Sequence, residues 1–144
     1  MIIVWLLIAV LLVLAALHAY WGLGGRWPGH DDTSMVQYVV GRTEAMAAPG
    51  ARACFAVAFA ILTTAVLAAH MAGVLHIPYV PQPLVTLGFW GAATVFTGRG
   101  LAAYVPGIFN YAKGTPFYRL NRILYSPLCL LIGAGFGAIG TKSI

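Results

Sequence analysis

No aspartate, glutamate, lysine or arginine occurs before Arg26, and none occurs between Arg52 and Arg99. Uncharged stretches of that length, dense in Leu, Val, Ile, Ala and Phe, leave few ways to fold. A helix needs about 20 apolar residues to cross a hydrocarbon core about 30 Å thick. At about 1.5 Å of rise per residue the first stretch is enough for one crossing and the second for two. Composition rules out the water-soluble alternative: 61% of the residues are apolar and 8% charged, against roughly a half and a quarter in ordinary globular chains. Too few charges exist to cover a surface facing water, so lipid is the expected solvent.

Residues 2–23 read as span one, closed by Gly24-Gly25 and Pro28. The segment lacks a basic leader and a small-residue cleavage site, so it reads as a retained helix and not a signal peptide. The next stretch, to Arg52, carries Asp31, Asp32 and Glu44, all the acids of the chain. There Asp32-Thr33-Ser34 is expected to cap a membrane-surface helix running to Met46, with Val36, Val39 and Val40 on its apolar side. Pro78, Pro81 and Pro83 divide the second uncharged stretch into span two at 53–75 and span three at 84–104. A polar connection around Lys113-Gly114-Thr115-Pro116 leads into span four at 123–139, with Ser126-Pro127 in its first turns. The expected fold is all-α: a single domain over residues 1–144, an integral membrane four-helix bundle with a short interfacial helix between spans one and two. Small residues such as Ala65, Ala69, Gly88, Gly133 and Gly137 would let helices approach closely where lipid supplies no hydrophobic drive.

The net charge is +5, but the cations are scattered through the connections and form no stripe of the kind nucleic acid requires. Their distribution gives orientation. Arg26, Arg42, Arg52, Lys113, Arg119 and Arg122 fall on the side of the first and third connections, and only Lys142 on the other. The positive-inside rule then places those two connections in the cytoplasm and both termini outside. Cys54 and Cys129 lie in apolar runs and suggest neither a disulfide nor a zinc site.

Orientation fixes depth. His18, Tyr20 and Trp21 end span one, while Thr97 and Arg99 end span three, all at the cytoplasmic level. Asn110, Tyr111, Tyr118, Arg119, Asn121, Arg122, Tyr125 and Ser126 arrive there from the third connection and the start of span four. Ionisable groups at membrane depth are costly, which makes this convergence the candidate ligand-binding site. Arg99 stands out because a guanidinium in an apolar helix needs an acceptor, a phosphate or water. His18 and His70 should differ in depth by roughly 15 Å or more, too far for one metal or haem iron. No serine sits in a nucleophile elbow, no span contains a carboxylate, and no glycine-rich phosphate loop occurs, so no catalytic or metal-binding residue is assigned.

Two segments, LHAYWGLGGRW at 17–27 and TPFYRLNRILYSPLCLL at 115–131, carry a family likeness. The chain resembles an uncharacterised family of small bacterial membrane proteins classed as a domain of unknown function. Its His-x-Tyr-Trp-x-x-Gly-Gly segment corresponds to His18, Tyr20, Trp21, Gly24 and Gly25. Its second motif corresponds to Phe117 through Arg122 and Tyr125 through Cys129, with Asn121 standing where the family more often has Asp. The resemblance implies four spans in a bacterial inner membrane and no particular activity or cofactor.

Plentiful packing faces and interfacial aromatics point to a non-catalytic accessory subunit or a lipid- or ligand-binding component, as a homo-oligomer or within a larger membrane complex. A redox protein or enzyme acting on a quinone or lipid, using His18, Tyr118 or Tyr125 and Arg99, is the alternative. A small oligomeric transporter comes last, because such carriers generally need an intramembrane acid.

Overall fold

The computed structural model describes residues 1–141; Lys142, used above in weighing orientation, lies outside them. Among the described residues every regular element is helical. The order is α1 (Ile2–Gly22), α2 (Asp32–Val39), α3 (Ala51–Met71), α4 (Gln82–Ala102), a 3-10 turn (Asn110–Ala112) and the long α5 (Pro116–Gly140). Three helices, α1, α3 and α5, are long and apolar enough to cross a membrane. α4 equals α1 and α3 in length at 21 residues, but its threonines, its tryptophan and Arg99 leave it less apolar.

Packing follows a simple pairing, α1 on α3 and α4 on α5, with smaller contacts joining the pairs. α1 buries Val4, Leu7, Leu11 and Ala15, one stripe at helical spacing. It meets the stripe of Cys54, Ala58, Ile61, Ala65 and Ala68 on α3. Four of those five positions are small or thiol-bearing, which lets the backbones come close. The outward faces stay apolar: Ile2, Ile3, Trp5, Leu6, Leu12 and Val13 are all exposed on α1. In water such a surface would aggregate; in lipid it is matched. The α4–α5 pair is centred on aromatics, with Phe89 edge-on to Phe136 at 5.1 Å and Phe96 stacked on Phe136 at 6.1 Å.

Two boundaries differ from expectation. The surface helix ends at Val39, not Met46. Gly41 turns the chain at φ +105, its N–H donating back to the Val36 carbonyl at 2.7 Å, and this left-handed residue stops the helix. The last helix begins at Pro116, seven positions before the expected Ile123. Proline suits that first turn, where its missing N–H has no helical partner to lose. Pro127 therefore lies inside α5 and not near its start. It follows a π turn over Asn121–Tyr125, which widens the helix where a proline ring would otherwise press on the preceding turn.

α2 is capped by Asp31, one residue before the expected cap. The Asp31 carboxylate accepts the Ser34 N–H at 2.7 Å, and the Ser34 hydroxyl oxygen accepts the Asp31 N–H at 3.1 Å, a reciprocal capping box. Arg26 pairs with Asp32 in the first turn. The Ser34 backbone N–H, helped by its hydroxyl, holds the Asp31 carboxyl below its ordinary pKa. A carboxyl whose pKa is depressed by folding stabilises the fold above its unfolded pKa, and that contribution is lost as pH falls through the folded value. The Ser34 amide resonance should therefore titrate with a midpoint below about 3.9, the ordinary aspartate value. A midpoint at or above that value would contradict the capping geometry.

Candidate functional site

The connections before and after the α3–α4 pair lie together. The Tyr125 hydroxyl donates to the Tyr38 carbonyl at 3.0 Å, and the Tyr111 hydroxyl donates to the Val40 carbonyl, also at 3.0 Å. These bonds satisfy carbonyls at the end of α2 that have no helical donor. Gly41 makes the close approach possible, since a Cβ there would stand 2.6 Å from Ala112 Cβ. α2 is thereby fixed against the start of α5. The opposite end of the molecule gathers the start of α1, the end of α3 and the end of α5: Ile2, Met71 and Ile139 line one cleft there. His18 and His70 consequently occupy opposite ends.

Arg99 is the centre of the loop-side end. Its Nη2 donates to Asn121 Oδ1 at 2.8 Å, its Nη1 reaches Ser126 Oγ at 3.4 Å, and its guanidinium lies 5.1 Å from the Phe109 ring centroid. Asn121 and Ser126 are 1% and 0% exposed, so both are held for this contact. The π turn explains how both reach it. In a regular helix residues five apart diverge by about 140°. Here the Ser126 N–H bonds the Asn121 carbonyl five residues back, which stacks Ser126 over Asn121 and aims both at α4. The widened turn also gives the Arg122 carbonyl to the Tyr104 hydroxyl at 2.9 Å, a tie between the connection that follows α4 and α5.

Beside this cluster lies a cavity of about 310 Å³ whose wall includes Tyr104, Phe109, Asn110, Lys113, Tyr118 and Arg122. Tyr118 and Arg122 are four residues apart on one face of α5. Phe109 belongs to both: it lines the cavity, and its ring lies against the Arg99 guanidinium.

The expected site residues thus divide. Asn110, Tyr118 and Arg122 share the cavity, while the half-buried Arg99 and the buried Asn121 form the cluster beside it. Tyr125 serves α2, and Arg119 is exposed outside both groups. His18, Tyr20 and Trp21 stay local. His18 Nδ1 bonds the Leu14 carbonyl at 2.8 Å and its ring meets Trp21 edge-on at 4.9 Å, while the Trp21 indole donates to the Trp27 carbonyl at 2.7 Å. None of their hydrogen bonds or ring contacts reaches α4 or α5. Tyr104, Phe109 and Lys113 line the cavity and were not among the expected residues. Their signal was modest: aromatics and a lysine flanking the Pro106-Gly107 break.

The chain matches the family described as "Protein of unknown function (DUF3995)" over residues 11–136. It belongs to that family. The matched region runs from the middle of α1 to Phe136 in α5, so it contains the Arg99 cluster and the whole cavity wall. No curated protein and no solved structure matches the chain.

Proposed function

We propose that this DUF3995 protein is a four-span integral membrane protein of a bacterial inner membrane, acting as a non-catalytic ligand-binding component of a larger assembly. α4 counts as the fourth span because it matches α1 and α3 in length and packs along α5. Its one charge sits at the loop-side end with acceptors supplied. The cationic connections lie at that same end, which favours a cytoplasmic position for them and places the start of α1 and the end of α5 on the far side.

One observation carries the binding role. At the loop-side end the groups that would do chemistry elsewhere are committed to structural bonds, Ser126 to Arg99 and His18 to the Leu14 carbonyl, while a cavity lined by Asn110, Lys113, Tyr118 and Arg122 lies beside the Arg99 cluster. Isolation in mild detergent followed by native mass spectrometry tests the reading. The expected result is recovery with a partner protein, as an oligomer, or with retained lipid. A lone monomer carrying a stoichiometric isoprenoid quinone or other redox group would overturn it in favour of a redox role.

A further inference from the structure

We infer that the cavity between the end of α4 and the start of α5 binds a phosphate-bearing anion, with Lys113 and Arg122 as its charged ligands and Asn110 and Tyr118 as neutral hydrogen-bonding partners. The inference rests on the reading of this end as the binding end and names the class of ligand it takes.

The charge balance around the cavity is one-sided. Among the described residues the one ion pair is Arg26 with Asp32, and Glu44 is the chain's remaining acid besides Asp31, which is engaged in capping α2. Lys113 and Arg122 therefore face the same space without a carboxylate to neutralise them. Arg99, against the Phe109 ring of the cavity wall, adds to the potential because its acceptors Asn121 and Ser126 are uncharged. Three cations around one concave, partly enclosed site attract an anion more strongly than the same cations spread over a surface.

The polar lining specifies more than charge. Lysine and arginine are both good phosphate ligands, one as a point charge and one as a fork of donors. Asn110 and Tyr118 add neutral donors beside them. Part of the wall is apolar: Val105 lines the cavity and is exposed, and Leu101 and Ile108, four residues before it and three after it in the chain, are exposed as well. A phosphate carried on a lipid would thus find its headgroup site next to a surface suited to its acyl chains, whereas a free phosphate would use the polar lining alone.

The test uses the full chain in detergent, with thermal unfolding followed by circular dichroism. Dioleoyl phosphatidylglycerol, dioleoyl phosphatidylcholine, inorganic phosphate and glycerol phosphate are titrated separately. The expected result is stabilisation by at least one phosphate anion and none by zwitterionic phosphatidylcholine at equal concentration. A response to phosphatidylglycerol alone assigns the lipid as source, and a response to the soluble phosphates assigns a free anion. The double variant Lys113→Gln with Arg122→Gln should weaken binding by roughly tenfold or more, and Tyr118→Phe by a smaller factor. Arg52→Gln, a cation outside the cavity, should leave it unchanged. Equal stabilisation by phosphatidylcholine, or equal weakening by Arg52→Gln, would overturn the inference. Far-ultraviolet dichroism of each variant separates lost binding from lost fold. If the anion site fails while the protein still co-isolates with a partner, the broader binding-component reading survives; the reverse outcome removes that reading alone.

Discussion

Asn121→Leu is expected to destabilise the folded protein by about 2 kcal/mol, measured as the shift in an SDS-unfolding titration in mixed micelles, since a hydrogen bond to a charged group contributes about 1.5–3 kcal/mol. Leucine shares asparagine's branching and number of heavy atoms but removes the Oδ1 that accepts from Arg99 Nη2 at 2.8 Å. The guanidinium is half-buried against Phe109, and Ser126 at 3.4 Å is a weaker replacement. Losing one partner of a charge while the other stays in place leaves an uncompensated group, the costly way to break such a contact. Asn121→Asp should behave oppositely, because it keeps the acceptor and adds the opposite charge. It should preserve or raise stability. If Asn121→Leu and Asn121→Asp were equally destabilising, the contact to Arg99 would not be the reason Asn121 is buried.

Gly100→Val should cost about 3 kcal/mol in the same assay, at the upper end of what overpacking a well-filled interface usually costs. A Cβ at Gly100 would stand 2.7 Å from Leu130 Cγ and 3.0 Å from the Leu130 backbone nitrogen, so a rotamer change alone cannot make room. Gly133 is the reciprocal position on α5. A Cβ there would run into Thr97 Oγ1 and stand 3.3 Å from the Thr97 backbone nitrogen, and Gly133→Val should cost a similar amount. Gly91 and Gly98 on the same helix α4 provide the control, since a Cβ at either meets nothing within 4 Å. Gly98→Val should cost far less than Gly100→Val although only one residue separates them. Equal effects at the two sites would mean that helix propensity and not backbone approach sets the cost.

The contrast between Gly98 and Gly100 also shows where sequence reading stops. The long helices were legible because their signal is cumulative: many apolar residues in a row, bounded by Gly24-Gly25, by Pro49-Gly50 and by the prolines at 78, 81 and 83. Expected and observed ends of α1, α3 and α4 agree within a few residues. Failure came where one local event outweighs a pattern. Gly41 ended α2 early although Glu44 and Ala45 favour helix. The polar run Tyr118-Arg119-Leu120-Asn121-Arg122 looked like a connection, yet it continues α5 beyond the apolar level, with Asn121 turned inward onto Arg99. That inward turn depends on the π segment, whose register change leaves no mark in apolar periodicity. Arg99 could be singled out from its type and place alone; its partners could not. Of the groups expected to converge, His18, Tyr20 and Trp21 lie in the last turns of α1. Depth carries no information about azimuth around the bundle, and their contacts proved local.

The pairing of α1 with α3 and of α4 with α5 bears on how the chain is made. Long helices that are successive in the chain are principal partners within each pair, so each pair can close as soon as its second member has been synthesised. The contacts that wait for the last third of the chain are those α5 makes with α1 and α3 and the tyrosine bonds that fasten α2 to the third connection and to α5. α2 is made early, before α3, but its hydroxyl donors Tyr111 and Tyr125 emerge only with the last third of the chain. Biogenesis thus leaves α2 without these two bonds until α5 arrives, and the cavity wall that Tyr118 and Arg122 supply is completed in the same closing step.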